Sequence, residues 1–295
     1  MTQRFLSPEV LASISSLDLV AKTVVEGFIA GLHRSPDFGF SQEFAEYRMY
    51  NPGDDLRHVD WNVFARSEKM YLKRYRGETN TLVTLLLDQS ASMKFGSHGT
   101  HKLDYARYLA ASLAYMASTQ RDAIGLVVFD DDVREYVHPS GRQGQLHRVL
   151  NAIGKADYGV RTDFAKPFTH CMQFLRRRGL VVVISDFYEE PSKIIDAIAP
   201  LGARGNEVAL FHILDPEEIE PKFGDASLLI DMETQTTLEV TADYAKLEYV
   251  QKINSHIADL RAKAQGANMD YCVMATNKPL DAGLREYLAM RKGRL

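Results

Sequence analysis

Cysteine and tryptophan are scarce in this chain: its 295 residues include two cysteines, Cys171 and Cys272, and one tryptophan, Trp61. Two cysteines far apart, each in apolar surroundings, exclude a disulfide scaffold and a cysteine-rich metal site, and they suit a reducing compartment. Apolar runs are short as well. None approaches the ~20 residues a membrane helix needs, and the start, Met1-Thr-Gln-Arg-Phe-Leu-Ser-Pro8, lacks a signal peptide's apolar core, so a cytoplasmic protein is expected. Excess basic charge is also missing. The 35 Lys and Arg against 39 Asp and Glu leave a net charge of −4, which argues against a nucleic-acid binder held by a basic face, although Lys69 to Arg76 is locally basic. No Walker A, G-x-S-x-G or H-E-x-x-H pattern occurs, which removes the common signatures of P-loop, serine and zinc hydrolases. What remains, 45% hydrophobic and 25% charged residues, is ordinary for a soluble globular protein able to bury one large core or two smaller ones.

The chain is organised around Thr81-Leu-Val-Thr-Leu-Leu-Leu-Asp88-Gln-Ser90-Ala-Ser92. An apolar run of this length that stops at a carboxylate and two hydroxyls suits a strand covered on both faces, as in a parallel sheet, that feeds a polar loop. Leu180-Val-Val-Val-Ile-Ser185-Asp186 repeats the pattern. In open α/β sheets, ligands bind in the crevice beyond the carboxyl ends of the strands, where both loops would lie.

Residues 8 to 33 carry apolar positions spaced as in one or two amphipathic helices, and residues 40 to 76 read as short strands and loops around the turn Asn51-Pro52-Gly53-Asp54. The stripe Leu103, Ala106, Leu109, Ala110, Leu113, Met116, Ala117 makes Lys102 to Gln120 a helix. A strand follows over Asp122 to Asp130. The three aspartates Asp130, Asp131 and Asp132 leave too short a gap for a parallel crossover, so Val133 to His138 is expected as an antiparallel edge strand. Helices are expected over Gln143 to Lys155 and Phe164 to Arg178, the latter with Arg176, Arg177 and Arg178 complementing the dipole at its end. Strand and helix alternate onward through Pro191 to Gly205, Glu207 to Leu214, Tyr244 to Ala267, Tyr271 to Ala275 and Leu280 to Met290, with an acidic segment of hairpin character over Asp215 to Ala242. This order indicates a doubly wound, Rossmann-like α/β sheet. The expected division is a helical segment over 1–33, a β-rich segment over 34–78 and the α/β domain over 79–295.

The candidate site is Asp88, Ser90, Ser92, Thr162 and Asp186, all in loops expected at one end of the sheet. Such hard oxygen donors, with few carboxylates and no histidine or cysteine, suit Mg2+, with Mn2+ or Ca2+ as substitutes, and not zinc. A metal only partly neutralised by the protein favours a partner's acidic side chain in its shell, a way of binding without catalysis. His98 and His101, near the Ser90 loop, read as solvated histidines and receive no role.

Asp88-x-Ser90-x-Ser92, Thr162 in Gly159-Val-Arg-Thr162-Asp163, and Ser185-Asp186 resemble the metal-ion-dependent adhesion site of von Willebrand factor A domains. Arg48-x-Tyr50-x-x-Gly53-Asp54-x-x-Arg57-x-Val-Asp60-Trp61, followed by Ala65-Arg66, resembles the signature of the domain of unknown function 58 family, in which the signature precedes an A-like domain. The resemblance runs from about residue 30 to about residue 240 and includes Asp231-x-Glu233. It implies a von Willebrand factor A-like sheet with one antiparallel edge strand. It also implies a role beside MoxR-type AAA+ ATPases as an adaptor in protein-complex assembly or metal insertion. Residue type and resemblance together place Trp61 in a buried position, with Arg57 and Asp60 in a polar network.

Three functions compete. The first is a metal-dependent interaction adaptor, not an enzyme. The second is a haloacid-dehalogenase-like phosphatase using Asp88 as nucleophile, for which Ser90 stands where the general acid is required and does no acid–base work near neutral pH. The third is a vestigial site whose Asp and Ser residues only cap backbone donors.

Overall fold

The computed structural model describes Pro8, Leu11 and residues 16–32, 44–50, 59–67, 69–75, 81–159, 164–175, 177–221, 226–230, 237–241 and 248–292. The chain divides into two compact units, residues 29–80 and the remainder. The larger unit is built on six strands: β3 (Leu82–Asp88), β4 (Ala123–Phe129), β5 (Val133–Ser140), β6 (Leu180–Ser185), β7 (Glu207–Leu214) and β10 (Asp270–Ala275). Their order is β10-β7-β6-β3-β4-β5, all parallel except β5, which runs antiparallel to β4. This is the doubly wound sheet with one antiparallel edge that the sequence pattern indicates.

The central strands are almost wholly apolar because helices cover both faces. Helices α5 (Ala165–Phe174), α6 (Pro191–Ala203) and α8 (Val250–Gly266) close one face over a core that includes Leu86, Phe129, Phe168, Val183, Ile198 and Leu210. Helices α3 (Lys102–Thr119), α4 (Gln145–Lys155) and α9 (Leu280–Lys292) lie on the other, against β3, β4 and β10. Burying a side chain such as Leu85, Leu87 or Leu109, each fully enclosed, contributes about 1.5–3 kcal/mol. Where β6 begins beside β3, Gly179 leaves no room for a Cβ, which would collide with the Leu82 carbonyl. Cys171 and Cys272 are both buried free thiols, and burial pushes the Cys171 thiol up to about 12.

The edge strand β5 departs from a regular ladder. Its pairing with β4 shifts register twice. Pro139 sits against Gly125, where any side chain would strike the proline ring. The turn into β5 is held by aspartates: buried Asp130 accepts from the Asp132 amide and Arg134 Nε, and Asp132 accepts from the Val133 amide and pairs with Lys166 and His170.

Helix α5 stops at Phe174, and Leu175 already leaves helical geometry. The expected extension to Arg178 is therefore corrected. Leu175 is buried, so the chain turns inward to seat it, and Arg177 and Arg178 follow in irregular, exposed backbone and not at a helix end. A second difference is α7 (Pro216–Ile219), a short helix within the segment read as acidic and hairpin-like. The hairpin itself follows as β8 (Ala226–Ile230) paired antiparallel with β9 (Thr237–Thr241).

Ahead of the sheet lies α1 (Leu17–Leu32), in which Val20, Val24 and Val25 are buried at helical spacing. In the smaller unit, β1 (Phe44–Met49) pairs antiparallel with β2 (Tyr71–Tyr75), and α2 (Trp61–Ser67) lies between them in sequence. Asp60 is buried; its carboxylate accepts from the Val63 amide at 3.2 Å and its own amide donates to the Tyr71 carbonyl at 2.9 Å. Trp61 is 54% exposed, which corrects its expected burial. The indole opens α2 just after the Asp60 cap and meets Phe64 of the same helix edge-on, so it is held locally and does not enter a core. Arg57 and Asp54 lie outside the described residues. Among the described residues, no helix is long and apolar enough to cross a membrane.

Candidate metal centre

Adjacent parallel strands β3 and β6 end together, and each delivers a carboxylate at its carboxyl end: Asp88 from β3 and Asp186 just past β6. Both are buried. Asp88 is held at both oxygens. The Ser90 amide donates to Oδ1 at 2.8 Å and the Ser185 hydroxyl to Oδ2 at 2.6 Å, while Ser185 Oγ itself accepts from the Phe187 amide at 2.9 Å. Phe187 has φ +48°, a left-handed conformation costly for a bulky residue. That turn carries the chain past Asp186 and buries the Phe187 ring against Phe164. Ser90 and Ser92 place their hydroxyls 3.0 Å apart at the start of a 3₁₀ turn, Ala91–Lys94, whose Met93 is fully buried.

Asp186 has different partners. Its Oδ2 accepts from Lys102 Nζ at 2.7 Å, and its buried Oδ1 has no donor among the described residues. Lys102 opens α3 and is itself buried, with Nζ between the Tyr188 and Phe95 rings at 5.1 and 5.9 Å from their centroids. The same ammonium donates to Glu218 Oε1 at 2.6 Å. Glu218 belongs to α7, where its Oε2 accepts from the Asp215 amide in a capping box and the Asp215 carboxylate accepts from the Glu217 amide. Asp215 also accepts from the Ser97 amide at 3.0 Å and lies 3.4 Å from His98 Nδ1. One polar network therefore ties together the loop after β3 and the ends of β6 and β7.

Burial pushes Asp88 up to about 7, the neighbouring Asp186 charge adds to it, and the Ser185 and Ser90 hydrogen bonds offset only part. Burial alone would depress Lys102, but Asp186 and Glu218 outweigh it and hold the ammonium charged. Glu218 is raised by burial, with Lys102 opposing. Asp186 further lines a cavity of about 530 Å³ with Tyr188, Tyr249, His212 and His256. His212, buried with its ring 5.9 Å from that of His256, is depressed to about 3, first by desolvation and then by the His256 and Lys102 charges, and stays neutral.

Asp88, Ser90, Ser92 and Asp186 are thus brought to one place. Thr162 and the adjacent Asp163, like Asp231 and Glu233, lie outside the described residues. His98, given no role from sequence, is half-buried beside Asp215. Among the described residues no cluster of three or more His, Cys, Asp or Glu is arranged to hold a metal, so a cation here would rest on two carboxylates and hydroxyls. The donor set fits a hard ion: two buried carboxylates repel one another, and one of their oxygens is unpaired. Sequence reasoning missed Lys102 and Glu218. The Asp215-Pro216-Glu217-Glu218 capping pattern announces a helix start, but nothing in the spacing announces that Glu218 meets a lysine 116 residues earlier in the chain.

The family model described as protein of unknown function DUF58 matches residues 46–259. Two uncharacterised proteins, Rv1480 of Mycobacterium tuberculosis strain H37Rv and Mb1516 of Mycobacterium bovis, are each 30% identical over 290 residues, covering 97% of this chain and 90% of theirs. Among solved structures, the conserved hypothetical protein BatB of Bacteroides thetaiotaomicron is similar at 12% identity and TM-score 0.47, over 71% of this chain and 97% of its own. An aerotolerance-related membrane protein of Bacteroides fragilis is similar at 15% identity and TM-score 0.49, over 70% and 98%. The von Willebrand factor A-like fold is read from the strand order of the chain itself, and by its match to the family model and its full-length relatives the chain belongs to the family of proteins of unknown function DUF58.

Proposed function

We propose that this protein is a non-catalytic interaction adaptor that captures a partner through a divalent cation held by Asp88, Asp186 and the Ser90 and Ser92 hydroxyls. Mg2+ is the favoured ion. The observation that carries the reading is the pair of buried carboxylates at neighbouring strand ends, one raised in proton affinity first by burial and then by the charge of the other, and one with an unpaired oxygen. The carboxylates' own desolvation is met in the fold, so the cost left to binding is the partial dehydration of the ion, which their charge offsets. When bound, the ion supplies open coordination positions that an acidic side chain of a partner completes. Ser185 orients Asp88, Ser90 and Ser92 supply neutral oxygens, and the cavity beside Asp186 gives room for the partner's neighbouring side chains. The partner we assign is a MoxR-type AAA+ ATPase, and the process is protein-complex assembly or metal insertion. Both come from the family resemblance.

Hydrolysis through Asp88 is disfavoured by its surroundings. Both its oxygens are tied to Ser90 and Ser185, and the hydroxyl two residues on pairs with Ser92. A metal-free adaptor is the second reading, favoured by one observation: the Lys102 ammonium already gives Asp186 a cation. The experiment is capture of a MoxR-type ATPase from the same organism on the immobilised protein, in Mg2+ and in EDTA, with Asp186→Ala alongside. Capture that needs both Mg2+ and Asp186 is the expected result. Equal capture in EDTA and with the variant refutes the metal bridge.

A further inference from the structure

Lys102 is the one described cation that reaches Asp186, and its placement is unusual for a lysine. It is fully buried, lies at the first position of a helix, donates to two carboxylates at 2.7 and 2.6 Å, and is screened by two aromatic rings. Buried lysines are rare unless paired, and an ammonium at the positive end of a helix opposes the dipole. Such a residue survives only where its partners compensate, and both partners here belong to the site or its supporting network. Asp186 offers Oδ2 to Lys102 and keeps Oδ1 unpaired. Glu218, fixed by the Asp215 amide, accepts from the same ammonium through Oε1.

We propose that Lys102 is a built-in counter-cation that weakens the intrinsic affinity of the Asp88–Asp186 pair for a divalent ion and so makes occupancy depend on a partner's carboxylate. The inference rests on the metal reading above. Its basis is charge counting at short range. Asp88 and Asp186 ionised carry −2, enough to neutralise a divalent ion unaided. With the Lys102 ammonium bonded to one of them, the trio carries −1; Glu218 on the same ammonium brings the four groups to −2 but has no hydrogen bond to Asp88 or Asp186, so the ion meets a donor whose charge Lys102 already shares. A partner's acidic side chain then supplies the negative charge that Lys102 draws off. Glu218 acts in the opposite sense, because it draws on the same ammonium and moderates its effect. Lys102 is therefore a positioning and tuning residue, since it acts through Asp186.

The test is Mg2+ titration by calorimetry on the full chain, comparing wild type with Lys102→Met/Glu218→Gln, which removes a buried positive and a buried negative charge together, and with Glu218→Gln alone. Thermal melting in EDTA reports on folding. The double variant is expected to bind Mg2+ at least tenfold more tightly than wild type, and Glu218→Gln alone to bind it more weakly. A gain in affinity is a result that structural damage does not produce. Should the double variant not fold, Glu218→Gln alone decides: weaker binding with an unchanged melting curve supports the proposal, and unchanged binding overturns it. No Mg2+ binding by wild type but clear binding by the double variant supports the proposal. Equal affinity in the two overturns the role of Lys102 and leaves the metal site standing, while no binding by either overturns both.

Discussion

Asp88→Asn separates the electrostatics of the site from its packing. The wild-type carboxyl is fully buried and raised from 3.8 to about 7, so the folded protein holds a proton there that the unfolded chain gives up. Stability from this group is complete below about pH 4 and is lost as pH rises through 7. At about 1.4 kcal/mol per tenfold change in proton affinity, the loss approaches ~4 kcal/mol. His212 works in the opposite direction. Its ring is depressed from 6.5 to about 3, so its contribution is complete above about pH 6.5 and is lost as pH falls toward 3. The two windows overlap with opposite signs, and the wild-type profile alone is a poor reporter. The difference between variant and wild type isolates Asp88. In urea melts in EDTA, Asp88→Asn should gain ~4 kcal/mol relative to wild type between pH 4 and 8, on top of any constant offset from repacking. In Mg2+ at one hundred times its dissociation constant, wild type alone should recover about 2.7 kcal/mol at pH 8. Parallel profiles for the two proteins in EDTA would refute the buried-carboxyl reasoning, and an equal Mg2+ effect on both would remove Asp88 from the metal site.

Further predictions concern the frame around the site. Gly179→Ala forces a methyl into the Leu82 carbonyl where β6 starts and should lower stability by about 1–3 kcal/mol in a denaturant melt, with no change in helix content by circular dichroism. Trp61, the only indole and 54% exposed, should emit at the red, solvent-exposed limit and be quenched efficiently by iodide. A blue, protected spectrum would contradict the described unit. Cys171, buried and raised to about 12, should resist a thiol reagent at pH 8 until urea unfolds the protein, because reactivity follows the thiolate.

The sheet was legible because its strands are extreme. Leu82 to Leu87 and Leu180 to Ile184 are apolar without alternation, which in a chain this size means burial on both faces, and the three-residue gap at Asp130 to Asp132 admits only an antiparallel return. Asp88, Ser90, Ser92 and Asp186 were legible because they follow those strands directly. The end of α5 was not, because the seating of Leu175 in the core, a tertiary event, outweighs the helical preference of three arginines. Trp61 is exposed although size and apolarity forecast burial on average, because its position at a capped helix start offers Phe64 as a local partner. Lys102 is the most instructive omission. A lysine heading an amphipathic helix reads as solvated, and only the closing of the sheet places Asp186 and Glu218, 84 and 116 residues away, on either side of its ammonium.

The irregular strand β5 bears on how this protein meets other molecules. A sheet border normally offers a row of backbone donors and acceptors to any passing chain. Here two register shifts, a proline lacking its amide hydrogen and an arginine at the second position spoil that template. Growth of the sheet by addition of a foreign strand is therefore blocked along this flank. Under the proposed metal bridge, a partner at the Asp88 loop is recognised by acidic side chains, and backbone pairing along this flank adds nothing to it.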